Sequence, residues 1–317
     1  MNWRIQEMRN KARKFISEFL EKDGFLETET PILSKNAIPE SSIRLFETKR
    51  ITMNGNDSFY LLPSPELYMK RLLFCWHKSI YQFSKCFRNS EQRSKEHCNE
   101  FTMLEYYKIG ENDKDQARRT QEMIISLFDE CGAENKFKDF RYMSMSEAVK
   151  SASGLDLEEL QDEKRLRASL DSIGITVYDE SESWADSFNR LFVSHVEPML
   201  PCQDKPLVLY DYPTQIECLA KDANDMFKRR WELYYKGIEL ANCYFEASDS
   251  EAIIGYLNKE SEEIAKSGLE FRSDMDLASF SPLPSSSGVA MGFDRLMMVL
   301  LGKNGIDEVL PFCEYLL

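Results

Sequence analysis

The chain has 317 residues, 43% hydrophobic and 30% charged, with a net charge of −14 at pH 7; this fits one large globular domain or two ordinary ones and excludes a disordered chain. The acidic balance argues against a broad nucleic-acid-binding surface, and no apolar run reaches the ~18–20 residues of a membrane span. Eight scattered cysteines without a C-x-x-C pair, and no signal-peptide pattern at the start, point to reduced thiols in a cytoplasm.

In chain order, Ile5, Met8, Ala12, Phe15, Ile16, Phe19 and Leu20 recur at helical steps and Gly24 marks the stop. A short strand pattern, Phe25 to Thr30, is broken by Pro31, and a second runs Phe59 to Leu62. Ser64-Pro65-Glu66 reads as a helix start, with Ser at the cap, Pro at the first position and an acid in the first turn, and the helix continues to about His77. Ile80 to Arg88 alternates: Tyr81, Phe83 and Phe87 share one face, and Gln82, Ser84, Cys86 and Arg88 the other. A polar loop, 89–99, leads into a return strand from Glu100 to Tyr107, giving a long antiparallel hairpin with a basic tip. A helix follows from Asp113 to Gly132, and 144–198 reads as a mostly helical, acidic insertion. A strand from Leu207 to Tyr210 and a hairpin turning at Lys236-Gly237 restore β structure. Residues 249–267 form an amphipathic helix, and Gly288 to Gly292 lead into a last helix near Asp294. With no repeat and no linker, the economical reading is a single α+β domain over 1–317.

Some of these residues suit chemistry on a nucleotide. Arg88 stands at a strand end, and its planar fork suits phosphate oxygens; Arg93, Lys95 and His97 lie on the loop beyond. Phe101 and Tyr107 share parity, so both face one pocket, although spacing alone equally describes a hairpin with a solvated basic tip. Glu239 and Glu246 are candidate Mg²⁺ ligands, but a regular strand would put residues seven apart on opposite faces, so a bulge near 241–243 is needed. Gly288 and Gly292 before Asp294-Arg295 leave room for close approach of a nucleotide, or simply soften the entry to a buried helix.

Taken together the segments resemble class II aminoacyl-tRNA synthetases. Arg9 to Pro31 is similar to their motif 1, Phe87-Arg88-Asn89 through Glu105 to motif 2, and Gly288 through Leu296 to motif 3. Within that class, Ser64-Pro65-Glu66-Leu67-Tyr68-Met69-Lys70-Arg71-Leu72 and Lys236-Gly237-Ile238-Glu239-Leu240-Ala241-Asn242 resemble the lysine subfamily. The resemblance implies a six-stranded antiparallel sheet flanked by helices, a homodimer built through motif 1, and a cytoplasmic ligase using ATP and Mg²⁺. It implies that Arg88 binds the α-phosphate, Phe101 stacks on adenine, and Arg295 covers the other face and reaches the γ-phosphate, so that Arg88 and Arg295 are the catalytic pair. Asn89, Glu91, His97, Glu239, Leu240 and Gly292 complete the ATP site, with Glu239 and Glu246 on the metal. Ser64, Pro65, Glu66, Tyr107, Asn242, Glu246 and Ala290 line the amino-acid pocket.

Motif 1 begins almost at Met1, with no room before it for the anticodon-binding domain of a lysyl-tRNA synthetase. This is similar to the short paralogues that attach (R)-β-lysine to a lysine of translation elongation factor P, as is Ala290 where the synthetases carry Gly. The acceptor expected is therefore elongation factor P rather than tRNA, with lysine or (R)-β-lysine as substrate. The motif 2 loop departs from the family pattern: Arg88-Asn89-Ser90-Glu91 and His97-Cys98-Asn99-Glu100-Phe101 hold one extra residue. Glu91 with a small bulge is expected to accept from adenine's amino group, while the role of Asn99 is open. The rival readings are an ammonia-dependent asparagine synthetase, a regulatory paralogue, and a minimal tRNA ligase.

Overall fold

The computed structural model describes residues 3–89, 95–134, 136–177 and 182–313, and it divides into two compact units. Unit 1 comprises Met1–Lys136 and Glu246–Leu317; unit 2 comprises Phe137–Phe245.

Unit 1 begins with α1 (Trp3–Lys22), which buries Arg9, Ala12, Ile16 and Leu20 on one stripe and ends before Gly24, held at φ +81°. The first strand is shorter than its pattern predicts: β1 is only Leu26–Glu27, paired parallel to β5 (Ile80–Phe87). β2 (Leu33–Ser34), β3 (Phe46–Thr52) and β4 (Gly55–Leu61) form a small antiparallel sheet in the order β2-β4-β3. The third of these escapes the sequence pattern because most of β3 is exposed, leaving no apolar alternation to read. α2 (Glu66–Trp76) starts one residue later than expected, with Pro65 at the cap position, and closes at His77 in the left-handed conformation.

The centre of unit 1 is the antiparallel set β5, β6 (Glu100–Ile109) and β11 (Ser286–Gly292). One face carries Tyr81, Phe83, Leu104, Tyr106, Val289 and Met291. It is covered by α1, α3 (Asp113–Cys131) and α8 (Phe293–Leu300), as the Phe83–Phe293 edge contact at 5.3 Å and the 2.5 Å hydrogen bond between the Tyr106 and Thr120 hydroxyls indicate. The opposite face carries the candidate site. α7 (Ser250–Lys266) completes the unit.

Unit 2 contains β7 (Arg141–Ser144), α4 (Met145–Ser153), α5 (Glu163–Ser172) and α6 (Trp184–Leu191), followed by β8 (Leu207–Pro213), β9 (Phe227–Tyr235) and β10 (Ile238–Phe245). Its strands run in the order β10-β9-β8-β7, and its helices pack Leu157, Leu166, Leu170, Phe188 and Leu191 with Leu207 and Leu209 of β8. The β9–β10 hairpin turns at Lys236-Gly237 as expected, both at positive φ (52° and 85°), which suits a two-residue connection. The architecture is α+β, but the six-stranded antiparallel sheet needs correction: each unit carries one parallel pair, β1 with β5 and β7 with β8. Among the described residues, no helix is long and apolar enough to cross a membrane.

Candidate active site

Strand register builds the site. The antiparallel pairing places Gln82, Glu105 and Ala290 in one row across β5, β6 and β11, with Ile80, Tyr107 and Gly288 in the next. Ser84, Met103 and Gly292 form the row on the other side, followed by Cys86 and Phe101. Every second residue of an antiparallel strand faces the same way, so Phe101, Glu105, Tyr107, Gly288, Ala290 and Gly292 share a face. The equal parity expected of Phe101 and Tyr107 holds.

At the Tyr107 end lies a buried cluster of charge. Lys70, one turn along α2 from Glu66, places its ammonium 2.5 Å from Glu66 Oε1 and 2.8 Å from Glu246 Oε2. Lys70 and Glu246 are each 2% exposed. Burial alone would drive the ammonium towards its neutral form, but Glu246 and Glu66 outweigh it and raise the Lys70 pKa, so the side chain stays charged. The Tyr107 hydroxyl donates to Glu105 Oε1 at 2.5 Å, while Glu105 Oε2 is buried without a hydrogen-bond partner among the described residues. Burial, reinforced by the nearby Glu66 charge, pushes the Glu105 carboxyl up to about 8. The backbone of Gly288 makes this crowding feasible. A Cβ there would collide with the Tyr107 ring and come within 2.7 Å of Glu246 Oε1.

Towards the other end, the Arg88 guanidinium sits 5.3 Å from the centre of the Phe101 ring. The loop that follows is closed at its base by Asn99. Its carbonyl accepts from the Arg88 N–H at 2.9 Å, and its side-chain amide donates to the Arg88 carbonyl at 2.7 Å. Asn99 is thus a clamp on the loop whatever else it does. Glu91 and Arg93 lie outside the described residues. Lys95 is tied to the C-terminal segment by its carbonyl, which accepts from Ile306 N–H at 2.7 Å. Arg295 Nη2 lies 2.7 Å from His97 Nε2, and its Nε donates to the Glu96 carbonyl at 3.2 Å. A guanidinium has only donors, so His97 faces it with Nε2 as the acceptor.

Behind Arg295, the buried Asp294 carboxylate accepts from the Thr102 N–H at 2.6 Å and pairs with Arg9 Nη2 of α1 at 2.6 Å. The Arg9 guanidinium also lies 5.0 Å from the Phe293 ring. One buried ion pair therefore ties motif 1, the motif 2 strand and the start of α8 together.

The remaining predicted residues divide between the units. Asn89 is exposed; its N–H donates to the Arg44 carbonyl at 2.8 Å and its side chain to the Leu45 carbonyl at 3.5 Å. Ser64 Oγ accepts from the Glu66 N–H at 3.4 Å, and Pro65 is buried ahead of α2. Glu239, Leu240 and Asn242 belong to β10 of unit 2. The bulge that the carboxylate spacing required exists, but at Leu240: Glu239 pairs with Tyr234 and Ala241 with Leu233. It puts Glu239, Asn242 and Tyr244 on one face, and Asn242 donates to the Tyr244 hydroxyl at 3.1 Å. That face also carries Glu232, whose carboxylate accepts from Tyr212 OH at 2.5 Å, from Tyr234 OH and from Arg230 at 2.5 Å. Among the described residues, no group of three or more His, Cys, Asp or Glu stands ready-made for a metal.

The family described as tRNA synthetases class II (D, K and N) matches residues 2–315. The chain belongs to this class II synthetase family. Its relatives include proteins named elongation factor P–(R)-β-lysine ligase from several bacteria. The one from Vibrio cholerae is 33% identical over 307 residues, covering 94% of this chain and 91% of that protein. Those from Hamiltonella defensa (31% over 308 residues, 94% and 91% covered) and Vibrio parahaemolyticus (30% over 325 residues, 98% of each) are similar. The lysine-subfamily segments read in the sequence thus sit in a member of the synthetase class.

Four site residues went unassigned from sequence. Glu105 carried a usable signal, since it shares the parity of Phe101 and Tyr107. Lys70 stands four residues after Glu66, the spacing of a helical ion pair. Arg9 and Asp294 gave none, because their pairing spans nearly the whole chain.

Proposed function

We propose that this chain uses ATP to activate lysine or (R)-β-lysine as an aminoacyl-adenylate and transfers it to a lysine side chain of elongation factor P. The observation that carries the reading is the cluster of buried Glu105, Tyr107 and Glu246 with Glu66 of α2, beside the β5–β6 pair that leads to Arg88 and holds Phe101. Buried carboxylates recognise ammonium groups, and an arginine stacked beside an aromatic ring recognises a nucleotide. The names of the relatives supply the acceptor and the β-lysine.

In the first step the substrate carboxylate attacks the ATP α-phosphorus in line and pyrophosphate leaves. Arg88 binds the α-phosphate through its two-pronged guanidinium, Phe101 takes one face of adenine, and Arg295 with His97 takes the other face and the terminal phosphates. Positioning and neutralisation of charge supply most of the rate, so no general base is required. In the second step the lysine ε-amine of the acceptor attacks the acyl carbon, displacing AMP. Glu66, Glu105, Tyr107 and Glu246 bind the substrate amines. Ala290, beside Glu105, shapes the pocket floor together with Ser64 and Pro65 at the start of α2.

Glu239 and Glu246 would hold Mg²⁺. The pair is assigned by resemblance alone, and its donor chemistry fits, since one or two carboxylates with phosphate oxygens are the usual protein share of that ion's ligands. The metal would neutralise triphosphate charge. Glu91, Asn89, Leu240, Gly292 and Asn242 are assigned by resemblance alone, as are the homodimer and the single catalytic domain with its helical insertion.

Arg88→Ala is expected to lower ATP–pyrophosphate exchange by roughly 10²–10³-fold or more with the thermal transition preserved. Exchange that survives the substitution would overturn the mechanism. Assays with α-lysine, (R)-β-lysine and aspartate separate a cationic from an anionic substrate.

A further inference from the structure

We propose that Tyr244 is a positioning residue for substrate binding. Its hydroxyl pins the side-chain amide of Asn242, so that the amide presents its carbonyl oxygen to a protonated amine of the substrate. This rests on the assignment of Asn242 to the amino-acid pocket given above, and adds to it the direction in which the amide faces.

The whole arrangement lies within unit 2. Asn242 and Tyr244 are two residues apart on β10, so their side chains project from the same face, and they pair across the hairpin with Glu232 and Arg230 of β9 respectively. Asn242 Nδ2 donates to the Tyr244 hydroxyl at 3.1 Å. A side-chain amide has a donor end and an acceptor end, so fixing one fixes the other. Asn242 Oδ1 is buried without a hydrogen-bond partner among the described residues. A buried acceptor left unpaired is costly, and an ammonium N–H would satisfy it with a charge-assisted bond.

The tyrosine ring has its own support. The Arg230 guanidinium packs 5.5 Å from the centre of the Tyr244 ring and 4.5 Å from that of Tyr212, and the arginine side chain is only 13% exposed. Glu232 accepts from Arg230 at 2.5 Å and takes the hydroxyls of Tyr212 and Tyr234 as well. Three donors from β8 and β9 thus converge on one carboxylate, and the guanidinium it holds packs against the Tyr244 ring. Without the Tyr244 hydroxyl the amide loses the bond that orients it. Its last torsion is broad and roughly two-fold, so it would then offer the substrate a donor as readily as an acceptor. A donor facing an ammonium is repelled, so the loss falls on amino-acid binding and not on ATP.

ATP–pyrophosphate exchange with α-lysine and with β-lysine gives KM for the amino acid and for ATP separately. Tyr244→Phe removes the hydroxyl and keeps the ring against Arg230. Its amino-acid KM is expected to rise roughly three- to tenfold, the share of one hydrogen bond, with the ATP KM within about twofold and the thermal transition close to wild type. Asn242→Ala should raise the amino-acid KM further. In that background Tyr244→Phe should change it by less than about twofold, because the hydroxyl then has no amide to orient. Calorimetric titration of the amino acid into each variant gives the same comparison where exchange is too slow to fit. An unchanged amino-acid KM in Tyr244→Phe, an equal rise in the ATP KM, or a Tyr244→Phe effect of full size in the Asn242→Ala background overturns the inference and leaves Tyr244 a packing residue. Wild-type exchange with neither diamino acid removes the proposed function, and this inference with it. Normal wild-type exchange with an indifferent Tyr244→Phe removes this inference alone.

Discussion

The carboxyl of Glu105 is held between a tyrosine hydroxyl and a buried lysine–carboxylate pair, and this gives the protein a pH signature at one residue. Its value in the fold is about 8, against an ordinary 4.5. A raised acid favours the protonated fold, so its contribution is fully present below about 4.5 and is lost as pH rises through about 8. Glu105→Gln mimics the protonated form. Its stability relative to wild type is therefore expected to grow with pH across that window, by an amount on the order of 2–4 kcal/mol. Denaturant titrations at several pH values measure it, and a constant difference would show that Glu105 is not raised. The same residue shows how far reading by position reaches. The parity of Phe101 and Tyr107 extends to Glu105, though the sequence reading did not use it, and only the neighbouring α2 and Gly288 reveal that its carboxyl is buried among charges.

At the scale of elements, motif 1 has work to do within its own chain. Arg9 of α1 meets Asp294 at the start of α8, and Asp294 also takes the Thr102 N–H of β6. Removing one partner of a buried pair leaves the other charge uncompensated, so Arg9→Met is expected to cost about 3–5 kcal/mol in denaturant unfolding. Arg9→Met/Asp294→Asn should cost less than the sum of the two single changes, because the stranded charge is gone. Strict additivity would mean that the two side chains do not act as a pair. Helices such as Asp113–Cys131, and the 231–245 part of the hairpin with its Lys236-Gly237 turn, were legible locally. β3 and the brevity of β1 were not, because exposed strands carry no alternation and pairing length is set by the partner strand.

For the whole molecule, 54 acidic against 40 basic residues bear on the acceptor. Affinity for bulk tRNA rests on neutralising phosphates, and it falls steeply with salt. Purified enzyme charged with radiolabelled lysine or β-lysine is expected to label elongation factor P and not tRNA at physiological salt. Labelling of tRNA alone would instead select the minimal tRNA ligase. What the sequence determined by itself was the order of elements, the three motifs and hence the synthetase class, because these are properties of local spacing and residue type. The tertiary structure alone decided that Arg9 pairs with Asp294, that the strand sets include parallel pairs, and that Lys70 lies between Glu66 and Glu246. Which distant side chains are desolvated together is set by the packing of elements far apart in the chain, and no local pattern encodes that.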